Sequence, residues 1–466
     1  MRLMDFLADA GEHGRIPFHM PGHLREPERF DWLGGLAPLD FTEIDGLDDL
    51  HAPEGILRDA MTRAAERYGA ERTFFLVGGS TVGILASVTA VCRASKKERP
   101  SLLMARSCHK SVWHAAMLNR ADLRFVQPDA HPLGFCLDVK PEAIARAIRD
   151  GGAPDGVILT SPTYDGVVSD VAGIAEICHR AGVPLIVDAA HGAHLGFLDP
   201  AVPSPVSCGA DWTVMSLHKT LPSLTQTGLL HVRGPLADPA LAEECLGCFE
   251  TSSPSYPLMA SIDGCVGAMG DPMLFANWRD RIAELRAAAG DLFLRPSGVF
   301  AYDESKLLLA VEGMSGPETA AILRGEYGIE PEMVSPEYLL LMTGAGIGRR
   351  HVDALLPFLE RFRGRDVRFG AHAVGPHKLP PVRMPMDEAI RRETEDVALE
   401  DAEGRIAATI LTVYPPGIPL VVPGEEISRA VIDAVRDNPA GGGRVLTSRG
   451  TFDGTVTVCA ETEEPT

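Results

Sequence analysis

Apolar and polar positions along the chain follow two alternating periods. Short, mainly apolar runs recur at Phe74-Phe-Leu-Val77, Ser101-Leu-Leu-Met-Ala105, Leu123-Arg-Phe-Val-Gln127, Gly156-Val-Ile-Leu-Thr160, Leu185-Ile-Val187, Trp212-Thr-Val-Met215 and Gly228-Leu-Leu-His-Val232. Runs of this length, bounded by turn residues, predict buried strands. Between them the apolar residues space out at helical intervals: Ile56, Ala60, Met61 and Ala64; then Ile84 to Val91, Lys140 to Ile148 and Val171 to His179. Strand and helix in alternation predict an α/β chain whose mostly parallel sheet is covered on both faces. Ligands of such sheets sit at the carboxyl ends of the strands.

Past Val232, Pro239 to Gly247 and most of Leu258 to Ala289 read as helix. From about 290 a second alternation begins, with strand-like Lys306 to Val311 and Tyr338 to Met342 and helical Pro317 to Arg324 and Arg349 to Arg363. The pattern predicts an arm over 1–40, a large domain over 41–285 and a smaller α+β domain over 286–466, with a distinct module from about 370. Gly11, Gly14, Pro17, Pro21, Gly22, Pro27, Gly34 and Gly35 predict an irregular arm. Asp437 to Gly443 reads as a turn.

Three strand ends carry candidate chemistry. Ser216-Leu-His-Lys219 delivers a lysine to the end of a buried strand, where desolvation lowers the pKa of an amine and leaves it nucleophilic, as Schiff-base chemistry requires. The run Pro184-Leu-Ile-Val187 leads straight into Asp188. Gly78-Gly79-Ser80-Thr81 opens an apolar helix, so its N–H groups and the helix dipole make an anion cradle. Lysine, carboxylate and cradle are the three handles of pyridoxal 5'-phosphate. Lys219 would bond the aldehyde, Asp188 would keep the pyridine nitrogen protonated, and Gly79, Ser80 and Thr81 would hold the phosphate.

At these residues the chain resembles the Orn/Lys/Arg decarboxylases, pyridoxal-phosphate enzymes of fold type I related to aspartate aminotransferase, in their shorter bacterial form. The resemblance also rests on His19-Met-Pro-Gly-His23, Cys108-His-Lys-Ser111, Ser161-Pro-Thr-Tyr164, His191-Gly-Ala-His194, Thr251-Ser-Ser-Pro-Ser-Tyr256 and Tyr414-Pro-Pro-Gly-Ile-Pro419, which run in family order over nearly the whole chain. It implies an aspartate-aminotransferase-like large domain with a seven-stranded type of sheet. It also implies decarboxylation of lysine, arginine or ornithine, as in polyamine biosynthesis.

By the same resemblance His109 lies flat on the cofactor ring, Ser216 and His218 face the phosphate or the substrate, and His191 joins the cofactor contacts. Ser252 and Ser253 would reach a partner's phosphate across a homodimer or a higher homo-oligomer. Lys219 or His218 would return the proton after carbon dioxide leaves. Leu24-Arg25, Gly78, Ala189 and Asp165 depart from the family's usual residues.

Two readings stand for the acidic stretch Asp40 to Asp49: a solvated loop, or a place where Glu43 or Asp45 meets a substrate cation. Glu425 is a further substrate candidate. The electron sink serves several reactions, so an aminotransferase or another lyase is the alternative, and a non-catalytic cofactor-binding protein a third reading.

Charge changes the picture little: a formal net charge of −21 argues against nucleic acid and anionic membrane as partners. Nine cysteines without framework spacing suggest free thiols in a reducing compartment, and with neither a basic leader nor a membrane-length apolar run the expected location is the cytoplasm. No metal is expected at the lone Cys245-Leu-Gly-Cys248 or at His191 and His194.

Overall fold

A computed structural model describes residues 2–13, 16–26, 31–364, 379–414, 417–437 and 444–461. Gly14, Pro27, Pro415, Pro416 and the expected turn from 438 onward lie outside the described residues. The chain divides into two compact units, one of Met1–Ala94, Val171–Arg279 and Gly344–Gly346, the other of Ser95–Asp170, Asp280–Thr343 and Ile347–Thr466.

Eight strands form before residue 233: β1 (Arg72–Leu76), β2 (Ser101–Ala105), β3 (Asp122–Val126), β4 (Gly156–Thr160), β5 (Val167–Val168), β6 (Leu185–Asp188), β7 (Trp212–Ser216) and β8 (Gly228–Val232). All but β5 belong to the large sheet, in the order β1-β8-β7-β6 within the first unit and β4-β2-β3 within the second. The β6/β7, β2/β4 and β2/β3 pairs are parallel, while β8 runs antiparallel to both β1 and β7. This is the mostly parallel α/β architecture that the apolar runs predict. Strands β4, β6, β7 and β8 are buried along almost their whole length, as continuous apolar runs require when both faces are covered.

The helices before residue 290 are α1 (Leu3–His13), α2 (Ile56–Tyr68), α3 (Ser80–Ala94), α4 (Lys110–Leu118), α5 (Pro141–Gly151), α6 (Val171–Arg180), α7 (Pro239–Phe249), α8 (Tyr256–Ala268) and α9 (Pro272–Ala289). Helix α3 lies tightly on the first unit's strands. A methyl group added at Gly83 would come within 2.7 Å of Leu76 Cδ1 and 2.9 Å of Val214 Cγ1, so glycine sets that close approach.

The arm expected to be irregular is partly helical. Leu3 and Leu7, one helical turn apart, are fully buried in α1, and Asp263 on α8 accepts a hydrogen bond from the Leu3 N–H at 2.9 Å while pairing with Arg63 at 2.7 Å. The anchor is 260 positions away in the chain, so the local pattern of glycines and prolines carries no sign of it. Asp31–Leu39 forms a kinked 3-10 stretch.

In the second unit, β9 (Phe293–Leu294), β10 (Ala301–Tyr302), β11 (Lys306–Leu309), β12 (Met333–Val334) and β13 (Leu339–Met342) alternate with α10 (Gly316–Tyr327) and α11 (Arg349–Phe362). Strands β12-β13-β11-β9 make an antiparallel sheet, and β10 pairs with β5. Leu307, Leu309, Leu323, Leu339, Phe358 and Leu359 fill its core. Beyond 379 the chain adds small antiparallel sheets around Leu399, Val421, Ile427 and Ile432.

One polar cluster lies in this second unit. Lys306 is 0% exposed, and Asp165, after the Ser161-Pro162 turn, accepts a 2.6 Å hydrogen bond from the Tyr338 hydroxyl. Burial pushes the Asp165 carboxyl up to about 6, although Tyr338 and the Lys306 charge act to lower it. A carboxyl raised in the folded chain stabilises it fully below its ordinary value near 3.8, and that contribution is lost as pH rises through about 6. His231 acts oppositely: burial pushes its imidazole down to about 3, so its contribution is present above 6.5 and lost as pH falls. Comparison with Asp165→Asn isolates the carboxyl. Between about pH 7 and about pH 4 the melting temperature of the wild type should rise relative to that of Asp165→Asn, and parallel curves would refute the assignment.

Candidate active site

The sheet register gathers the first unit's candidate residues. Leu76, the last residue of β1, pairs with Gly228, the first of β8, and Gly228 pairs in turn with Ser216, the last of β7. Asp188 ends β6 opposite Val214. Three strand ends and one strand start therefore meet at one edge, where Gly79–Thr81, Asp188 and Ser216–Lys219 all emerge.

The chain turns at Ser216 into a short 3-10 stretch, Leu217–Lys219, which brings Lys219 out of the core. Its Nζ lies 2.9 Å from His191 Nε2. Asp188 is buried, and one of its oxygens accepts from the Ala190 N–H at 3.1 Å. Burial pushes this carboxyl above its ordinary range, opposed by the Lys219 charge and the Ala190 N–H. His218 Nδ1 lies 3.0 Å from the Thr227 carbonyl, which also accepts from the Leu217 N–H at 3.1 Å, so the lysine segment is tied to the start of β8.

The anion cradle begins at Gly79, whose φ of 78° is open to glycine but strained for other residues. Ser80 starts α3, whose first N–H groups have no partner within the helix. The hydroxyls of Ser216 and Thr220 are buried without a hydrogen-bond partner among the described residues. Buried hydroxyls of that kind carry a cost unless a ligand engages them. Together with the basic amine and the buried acid they suit a phosphorylated pyridine aldehyde. His191 and His194 do not converge: the first faces Lys219 and the second packs its ring 5.0 Å from that of Trp278. No group of three or more His, Cys, Asp or Glu arranged for a metal occurs among the described residues.

Ser252 and Ser253 are exposed on the turn after α7. Glu43 and Asp45 are exposed on their loop, whose neighbour Asp48 is occupied in capping α2 through the Gly55 and Leu57 N–H groups at 2.7 and 2.8 Å. In the second unit, His109 caps α4: its Nδ1 lies 2.9 Å from Ser111 Oγ and accepts from the Ser111 N–H at 3.2 Å.

Glu425, expected near a substrate, has a different partner. It is buried in an ion pair with Arg106 at 3.1 Å, and the same oxygen accepts from the Val422 N–H at 2.9 Å. Arg106 also donates to the Pro419 and Leu420 carbonyls and stacks 4.5 Å over the Trp113 ring. With Arg106, that carboxylate holds the strand Ile418–Val421 in place.

Three neighbours of the site escaped the sequence reading. Gln226, at a left-handed φ of 84°, donates from its amide to the Val77 carbonyl at 2.6 Å. Thr220 adds the second unpartnered hydroxyl, and Glu250 accepts from the Val77 and Gly78 N–H groups. None lies in a spaced motif; the one available signal was an acid at the end of α7, where the helix dipole disfavours it.

Residues 2–286 match the family model described as "Orn/Lys/Arg decarboxylase, major domain", and residues 377–436 match "Orn/Lys/Arg decarboxylase, C-terminal domain". The chain belongs to the Orn/Lys/Arg decarboxylase family. It is 32% identical over 446 residues to an arginine decarboxylase of Bacillus subtilis, covering 91% of this chain and 90% of that one. It is 31% identical over 455 residues to an arginine decarboxylase of Halalkalibacterium halodurans, covering 92% of each. In structure it resembles the constitutive lysine decarboxylase of Escherichia coli, with a TM-score of 0.81, 20% identity and coverage of 98% of this chain and 82% of that one. The fold is that of the fold type I pyridoxal-phosphate enzymes, and the chain is an amino-acid decarboxylase acting on a basic amino acid.

Removing one partner of a buried ion pair strands the other charge, at a cost on the order of 3–5 kcal/mol. Glu425→Ala should therefore lower the unfolding free energy of this decarboxylase by about that amount in denaturant titration. An unchanged midpoint would show that the Arg106 pairing carries no stability.

Proposed function

We propose that this chain decarboxylates arginine, using pyridoxal 5'-phosphate held at the Lys219 strand end, and that two copies complete the site. The observation that carries the cofactor reading is Lys219 beside the buried Asp188 at the same sheet edge as the Gly79–Thr81 turn. When bound, the cofactor supplies an aldehyde for amines and a protonated ring that accepts the electron pair released as a carboxylate departs.

The rest falls to the protein. Lys219 Nζ is the nucleophile, and its neighbour His191 orients it. Asp188, screened from water, keeps a proton at the ring nitrogen. Burial raises the energy of an unpaired carboxylate there, so a cationic partner is favoured. The N–H groups and hydroxyls of Gly79, Ser80 and Thr81, with Ser216, bind the phosphate. Lys219 Nζ or the His218 imidazole returns a proton to the carbon. Of the weaker substrate candidates, Glu43 and Asp45 keep exposed carboxylates suited to a guanidinium.

Arginine as the substrate rests on the relatives at 32% and 31% identity, both named arginine decarboxylase. The second copy is supported by apolar exposure along the arm: Ile16 is 83% exposed, Phe18 96% and Trp32 79%. A surface of that kind marks an interface. Exposed Ser252 and Ser253 fit a role toward a partner's phosphate. Nine free cysteines suit the cytoplasm.

Incubated separately with arginine, lysine and ornithine, the enzyme should release carbon dioxide and amine from arginine, with kcat/KM at least about tenfold lower for the other two. A keto acid without carbon dioxide, or preference for lysine, would overturn the reading. Lys219→Ala should lose borohydride-fixable cofactor and at least about a thousandfold in activity. In light scattering the wild type should be at least a dimer, and Phe18→Ser with Trp32→Ser should shift it toward monomer; a monomeric wild type would remove the shared site.

A further inference from the structure

Glu250 is in an unfavourable place for an acid. It is the C-cap of α7, a helix with no basic residue in its last turn, and a carboxylate there faces the negative end of the helix dipole. Its side chain nevertheless turns back to the sheet edge. One oxygen accepts from both the Val77 and Gly78 N–H groups, at 3.1 and 3.2 Å. The other accepts from the Thr251 N–H at 3.2 Å, on the turn that continues into Ser252 and Ser253.

These two amides stand immediately before the anion cradle. From the other side, Gln226 holds the Val77 carbonyl at 2.6 Å, so the peptide entering the turn is gripped through its donor and its acceptor. A Cβ added at Gly78 would meet Glu250 Oε1 at 2.8 Å and Val82 Cγ2 at 2.5 Å, so the carboxylate occupies the room that a side chain at 78 would need. With Val77 and Gly78 engaged by Glu250 and the Val82 N–H donating to the Gly79 carbonyl, the next donors available to a ligand along this turn are those of Gly79, Ser80 and Thr81.

We infer that Glu250 is a positioning residue: it fixes the Val77–Gly78 peptides so that the next three N–H groups converge on the phosphate, and it links this turn to the Thr251–Ser253 turn. The inference rests on the cofactor reading above and concerns only the phosphate end of the ligand. An acceptor atom is what the geometry requires of position 250; the negative charge is dispensable, since an anion bound nearby is repelled by it.

Equilibrium dialysis with pyridoxal 5'-phosphate and with pyridoxal, which lacks the phosphate, tests this on the wild type, Glu250→Ala and Glu250→Gln. Glu250→Ala should weaken pyridoxal 5'-phosphate about tenfold while leaving pyridoxal within about twofold, because only the phosphate uses the cradle. Glu250→Gln keeps an acceptor oxygen and should bind pyridoxal 5'-phosphate at least as tightly as the wild type. Equal losses for both probes, no loss in Glu250→Ala, or a glutamine variant as weak as the alanine one would each overturn the positioning role while leaving the cofactor reading intact. A wild type that takes up neither probe would instead overturn the cofactor reading itself.

Discussion

A carboxylate buried at the end of β6, with a lysine as its nearest counter-charge, is the constraint on which the first unit depends. Asp188 is nearly inaccessible to water, and an isolated ionised acid there would cost several kcal/mol. Two features of the chain reduce that cost: the Ala190 N–H and the charge of Lys219. In the cofactor reading proposed above, a bound cationic ring would take over part of the lysine's electrostatic role. One pair of side chains would then serve both stability and chemistry, and the surrounding sheet has to hold both at fixed depth.

The antiparallel strand β8 provides that depth. A purely parallel sheet would bring only strand C-termini to the site edge. By running backwards between β1 and β7, β8 places its start there, and the Thr227 carbonyl just before it anchors both His218 and the Leu217 N–H. The lysine segment is therefore braced from its own strand and from its neighbour. Gly83 then lets α3 settle close enough on β1 and β7 for its first N–H groups to stand at the same edge. A helix dipole acts only over its first turn, so this close packing is a condition for the proposed phosphate contact.

The parts legible in the sequence were those whose signal is local. Lys219, Asp188 and Gly79–Thr81 each end or begin an apolar run, and period alone locates them. The same logic located most of the strands and the helices around them. What escaped depends on contacts between distant positions. Leu3 meets Asp263 across 260 residues, which turned an expected irregular arm into a buried helix. Glu250 meets the Val77 and Gly78 amides across more than 170 residues. Such pairings leave no periodic trace. Glu425 likewise pairs with Arg106, 319 positions earlier, a contact that no spacing in the tail announces.

Three buried acids of the second unit are each held by a partner: Glu425 by Arg106, Asp165 by Tyr338 near Lys306, and Asp387 by Arg99 and Arg120 at 2.9 and 3.1 Å. Burial alone would push Asp387 up, yet the two guanidinium groups outweigh it and hold the carboxyl below its ordinary range. A committed, buried acid cannot also serve a substrate without stranding its present partner, at the cost of an unpaired buried cation. Each of these three carboxylates is thus part of the second unit's scaffold, held there by what its partner would lose on being stranded.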